Sequence, residues 1–227
     1  MNKAQSSLLV LALSGIVTAA SAQDIKPDAA AGAKKVAMCI GCHGIPEYKA
    51  AFPEQHLVPM ISGQGAKYIV AALNGYKAGD RKHPTMRGIA ATLTDQDIAD
   101  VAAYYEGHVS DPKPVAPEQP AVKPRPEVAE LLTKGACVSC HGANFSKPID
   151  GSYPKIAGQF SDYLYVALKA YKTTNNSLIG RNNAIMAGQV KQFSNAELKA
   201  MADYIGSLPG ELQTRPESRF RFASKGN

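Results

Sequence analysis

Cys39-Ile40-Gly41-Cys42-His43-Gly44 returns 98 positions later as Cys137-Val138-Ser139-Cys140-His141-Gly142. The match extends well beyond the cysteines. Pro59-Met60-Ile61-Ser62-Gly63-Gln64 recurs as Pro154-Lys155-Ile156-Ala157-Gly158-Gln159 at a shift of 95, which persists through Tyr68/Tyr163, Leu73/Leu168 and Tyr76/Tyr171. At a shift of 100, Arg81 meets Arg181, Met86 meets Met186, Leu93 meets Phe193 and Tyr104 meets Tyr204. The shift changes where surface loops absorb insertions. A chain of 227 residues is compatible with one large domain or two small ones; the internal repeat decides for two.

Between the repeats, residues 112–126 hold six Pro in fifteen positions. Proline cannot continue a helix and favours an extended, semi-rigid spacer. At the front, Lys3 precedes the apolar stretch Leu8 to Val17 and the small-residue sequence Ala20-Ser21-Ala22, the pattern of a secretory signal cleaved after Ala22. The apolar run is too short to span a bilayer, which takes roughly 20 residues. The expected organisation is therefore a signal at 1–22, an N-terminal domain at 23–111, a linker at 112–126, a C-terminal domain at 127–210 and a loosely ordered basic tail at 211–227. An excess of six positive charges is spread thinly, with no stripe of cations interleaved with aromatics, so nucleic acid is a poor partner.

Each half reads as all-helical. Thr94 with Asp97, and Ser194 with Glu197, have capping-box spacing. Ile98, Val101, Ala102 and Tyr105, and likewise Leu198, Met201, Ala202 and Ile205, then follow at helical intervals. Middle helices are predicted over 65–78 and 160–172. No period-2 segment stands out, so each half is expected to hold three or four helices.

Four chemistries compete for Cys-x-x-Cys-His. A zinc ribbon places its second Cys pair about 15–20 residues from the first, whereas here 94 residues intervene between Cys42 and Cys137. A thioredoxin-like dithiol needs a βαβ setting. Plain disulfides suit an exported protein but leave His43 and His141 without a role. Covalent haem uses all three residues: both thiols form thioethers with the porphyrin, and the adjacent imidazole reaches the iron. Domains this small also lack core, which a porphyrin supplies.

With these motifs in view, the chain resembles the di-haem cytochrome c4 family, two class I cytochrome c domains in tandem, over residues 30–110 and 127–208. The resemblance implies two covalently bound haem c groups, on Cys39/Cys42 and on Cys137/Cys140, with His43 and His141 as proximal iron ligands. Of the six Met, only Met86 and Met186 are matched between the halves, and they resemble the family's distal ligands. A soft thioether raises the reduction potential relative to a second imidazole. His83 is the rival for Met86, although its counterpart is Asn183 and Pro84 follows it. By resemblance, the Pro59 and Pro154 carbonyls accept from the proximal histidines, and Arg81 and Arg181 pair with propionates or are ordinary solvated cations. His56 and His108 lack counterparts and are expected at the surface. In the second half Glu130 stands where the first has Gly32, which bears on how closely the terminal helices cross.

An iron with both axial positions filled by protein leaves no open site for substrate, so the expected role is outer-sphere electron transfer and not catalysis. The resemblance implies a periplasmic carrier between a quinol-oxidising bc complex or dehydrogenase and a terminal oxidase. The alternative is a haem subunit fixed within a periplasmic dehydrogenase; a di-haem peroxidase is disfavoured by both Met. Residues 23–111 carry nine positive and ten negative side chains, and 112–227 carry fifteen and nine. That lopsidedness suits an acidic partner or peripheral contact with anionic lipid.

Overall fold

The computed structural model describes residues 24–217; the signal segment and the tail cations Arg219, Arg221 and Lys225 lie outside the described residues. The first half runs α1 (Ala29–Lys35), α2 (Ala37–His43), β1 (Lys49–Ala50), β2 (His56–Leu57), α3 (Ala66–Ala78), β3 (Arg81–Lys82), α4 (Pro84–Ala91) and α5 (Asp95–Gly107). The second runs α6 (Pro126–Lys134), α7 (Cys137–His141), α8 (Ser161–Lys172), β4 (Gly180–Arg181), α9 (Ala184–Val190) and α10 (Asn195–Ser207). Among the described residues each half thus has five helices, where three or four were expected. The extra ones are short. α4 and α9 are opened by side-chain caps, His83 and Asn183, and two turns carry too little apolar periodicity to register in a sequence window.

The long helices follow their patterns. Both capping boxes form, Thr94 with Asp97 and Ser194 with Glu197, and Ile98, Val101, Ala102 and Tyr105 are buried with Val36, Ile40, Ile69 and Leu73 in the first core. Leu198, Met201, Ala202 and Ile205 join Val128, Leu132, Phe145 and Phe193 in the second. Helix α1 crosses α5 at Gly32, where a Cβ would lie 2.1 Å from the Asp100 carbonyl oxygen, so only glycine fits. Glu130 is exposed, and α6 meets α10 through Val128 and Leu132 instead. The second crossing therefore has no need of a glycine at that position.

The Pro-rich linker is not a free spacer. Ala116 is buried, Pro117 O accepts from Asn144 Nδ2 at 2.7 Å, Val122 O accepts from Tyr204 Oη at 3.0 Å, and Glu118 pairs with Lys147. It lies along the second half. After Gly210 the chain is held up to Glu217 and not loose: Glu211 pairs with Lys155 of the second half at 2.8 Å, and from Gln213 to Glu217 the chain lies on the first half. Gln213 forms a backbone bridge to Ser62, its side chain accepts from Ser110 N and donates to Ser110 Oγ, each at 2.8 Å, and Tyr104 Oη donates to Glu217 Oε2 at 3.0 Å. Polar residues suffice here because the backbone itself supplies the partner, a signal that apolar periodicity does not carry.

The halves meet around a local two-fold. Met60 N donates to Gln159 Oε1 at 3.0 Å and Gln159 Nε2 to Met60 O at 2.9 Å. Their repeat counterparts do the same in reverse, Lys155 N donating to Gln64 Oε1 and Gln64 Nε2 to Lys155 O, each at 3.0 Å. Both glutamines are buried. Strand β3 then pairs antiparallel with β4 across the seam, Arg81 opposite Arg181. Such a self-complementary contact has the form of an isologous dimer interface. Among the described residues no helix is long and apolar enough to cross a membrane.

Candidate functional site

One cavity of about 720 Å³ runs through both halves. Its walls include Cys39, Cys42, His43 and Met86 from the first half and Cys137, Cys140, His141 and Met186 from the second. The structure thus gathers each half's sulfur and imidazole groups around one largely apolar space.

Helices α2 and α7 present the motifs. Their halves differ locally: α7 is entered through Ala136 at φ 46° and left through Gly142 at φ 79°, where a Cβ would lie 2.1 Å from Lys147 O. His43 Nδ1 lies 2.8 Å from Pro59 O and His141 Nδ1 lies 3.1 Å from Pro154 O. A carbonyl only accepts, so each Nδ1 carries the proton and each Nε2 keeps a free lone pair. Burial holds both imidazoles below the ordinary histidine range, which keeps that lone pair available at neutral pH. Burial also pushes the Cys39 and Cys137 thiols up to about 11. Among the described residues no group of three or more His, Cys, Asp or Glu could hold a metal ion.

Met86 and Met186 pack at the edges of the two cores on α4 and α9. His83, the rival for Met86, also lines the cavity, and its Nδ1 accepts from Met86 N at 3.4 Å, as Asn183 Oδ1 accepts from Met186 N at 2.9 Å. The two residues are equivalent helix caps, which accounts for a His in one half and an Asn in the other. His56 is 4% exposed, contrary to the surface position expected of it. Its Nδ1 is satisfied by Glu54 O at 2.8 Å, and its ring faces Tyr163 at 6.1 Å, because the seam between the halves covers it. His108 is half-buried, stacked on Tyr104 at 4.7 Å.

Arg81 and Arg181 are not ordinary solvated cations. They line the cavity, half-buried by surface area yet densely enclosed by protein. Tyr68 and Tyr76 flank Arg81, and Tyr163 and Tyr171 flank Arg181, with guanidinium carbons 4.7 to 5.7 Å from the ring centroids. Arg81 Nε is buried without a hydrogen-bond partner, and so is Tyr105 Oη, beside Cys39 on the same cavity wall. An apolar cavity with a proton-bearing Nδ1, paired thiols and unfulfilled polar atoms in its wall fits a porphyrin carrying acidic substituents. The buried interface glutamines were visible in the sequence only as polar residues repeated within apolar surroundings.

The profile of the family described as Cytochrome c matches residues 29–107 and 127–209. The chain is 32% identical to cytochrome c4 of Azotobacter vinelandii over 226 residues, 92% of this chain and all of that protein. It is 31% identical to the thiosulfate dehydrogenase electron acceptor of Stutzerimonas stutzeri strain A1501, covering 81% of this chain and 84% of that one. The crystal structure of reduced recombinant cytochrome c4 from Pseudomonas stutzeri superposes with a TM-score of 0.57 at 27% identity, covering 81% of this chain and all of that one.

Proposed function

This chain belongs to the cytochrome c4 family, as an electron carrier with two haem c groups on Cys39/Cys42 and Cys137/Cys140, and from that membership we propose a periplasmic single-electron relay in a respiratory chain. Its donor is a quinol-oxidising complex or a dehydrogenase, and its acceptor a terminal oxidase. The observation that carries the reading is the shared cavity, walled in each half by a Cys-Cys-His-Met set. Haem, when bound, supplies the Fe(III)/Fe(II) couple. His43 and Met86 would hold one iron and His141 and Met186 the other. Pro59 and Pro154 orient the proximal imidazoles through Nδ1 and raise their basicity. The apolar walls exclude water and favour the less charged ferrous state. Arg81 and Arg181 receive propionates. With His43, Met86, His141 and Met186 all supplied by the chain as ligands, the group would serve outer-sphere electron transfer and no substrate would need to reach the metal. The signal at 1–22 directs export, and the two cytochrome domains are 23–111 and 127–210.

The second reading, an electron-accepting partner of a periplasmic dehydrogenase, is favoured by the likeness to a thiosulfate dehydrogenase electron acceptor. Met86→Ala and Met186→Ala test the ligand assignment: each should turn one haem high-spin and open it to carbon monoxide, and an unchanged optical spectrum would refute it. Reduction of the purified holoprotein by quinol-oxidising membranes, compared with reduction by a dehydrogenase and its substrate, separates the two routes.

A further inference from the structure

Tyr105 stands where the second half has Ile205, and the difference puts one hydroxyl into an otherwise matched wall. The two positions are structurally equivalent. Each lies on the last helix of its half, α5 or α10. Gly63 N donates to Tyr105 O at 2.8 Å as Gly158 N donates to Ile205 O at 3.1 Å, and both side chains are buried and line the cavity. An aliphatic side chain at this place needs only packing. A buried phenol needs a hydrogen-bond partner as well, yet Tyr105 Oη has none. The ring is not free to turn toward water: Gly63 pins its backbone, and the rings of Tyr104 and His108 stand edge-on at 5.1 and 6.2 Å. Cys39 lies beside it on the same wall. Burial holds the Cys39 thiol above its ordinary range, and the phenol pulls it back.

We propose that Tyr105 is a positioning residue for the first haem: its hydroxyl donates to the Cys39 sulfur once that sulfur is a thioether, fixes the adjoining edge of the macrocycle and raises the potential of that iron, a device the second half lacks. A thioether sulfur carries no proton and only accepts, so attachment leaves the phenol as the donor of the pair and satisfies the orphaned oxygen. A buried donor left unpaired is costly, and even a weak acceptor relieves that cost. The positive end of the O–H dipole then points toward the macrocycle, where it favours the electron-rich ferrous state; hydrogen bonding around a haem is one of the protein's levers on its potential. Ile205 offers the Cys137 side no such donor. The inference rests on the haem placement proposed above, and its test separates the two.

Tyr105→Phe keeps the ring and removes only the oxygen. In holoprotein carrying it, the potential of each haem is followed by the paramagnetically shifted haem methyl resonances, assigned to their halves by nuclear Overhauser contacts. The first-half potential should fall and the methyl shifts of that haem should change, while the second-half haem keeps both. An unmoved first-half potential, with two low-spin haems still present, would overturn the proposal and leave the haem placement standing. Equal movement of both haems would overturn it too, since a local donor acts on one. A wild-type holoprotein lacking a low-spin haem in its first half would overturn the placement together with the proposal. Should Tyr105→Phe fail to fold, reduced wild-type protein supplies the test: the Tyr105 hydroxyl proton should exchange slowly with solvent and show an Overhauser contact to the Cys39 methylene, and a rapidly exchanging proton without that contact would refute the bond.

Discussion

Gln159→Ala should loosen the seam between the halves by an amount the structure sets. The side chain makes three hydrogen bonds, from Met60 N, from Phe160 N and to Met60 O, at 2.9 to 3.1 Å. At about 0.5–1.5 kcal/mol net for each, truncation should cost roughly 1.5–4.5 kcal/mol. Two of the three bonds cross between the halves, so most of the loss falls on their coupling. The assay is guanidinium denaturation of the holoprotein, followed by far-ultraviolet circular dichroism and by Soret absorbance. The midpoint should drop, and a single transition should begin to resolve into two as the halves unfold independently. Gln192→Ala, on an exposed position, is the control. A loss below about 0.5 kcal/mol, with the transition still single, would show that the reciprocal glutamines do not hold the halves together.

Cys39→Ser with Cys42→Ser should leave the first half largely unfolded, because a domain of that size is short of core without its cofactor; full helicity in that variant by circular dichroism would contradict this. Asp100 is buried against Lys35, with Oδ2 at 2.6 Å, and the hydrogen bond from Lys35, ahead of other contacts, holds its carboxyl below the ordinary carboxylate range. A depressed folded value means its contribution is complete above the unfolded value near ~4 and drains as pH falls further. Asp100→Asn should therefore flatten the stability profile below about pH 4, and an unaltered acid limb would remove Asp100 from the account. Truncation after Glu217 removes Arg219, Arg221 and Lys225 while sparing the contacts of 211–217; electron transfer to oxidase-containing membranes should then lose part of its salt dependence, whereas identical salt profiles would leave the tail without a docking role.

The repeat, the capping boxes and the long amphipathic helices were legible because each depends on residues near one another in sequence. Thr94 caps Asp97 whatever the rest of the chain does. The seam was not legible, because its partners are about 100 positions apart: Gln64 and Gln159 read as ordinary polar residues until Met60 and Lys155 are placed against them. By sequence His56 reads as a surface residue for the same reason, since only the second half covers it. His83 was ambiguous as a ligand, and it took the equivalence with Asn183 to show that its ring caps a helix.

The linker lies on the second half, and the segment from Gln213 to Glu217 lies on the first, so the two connections cross in opposite directions. The halves are consequently laced together and not merely tethered. A protease nick near Pro120 would free a covalent end but not a domain: Asn144 and Tyr204 would still grip the cut strand, Gln213 would still be paired to Ser62, and the two fragments should travel through a sizing column as one body, separating only under denaturant.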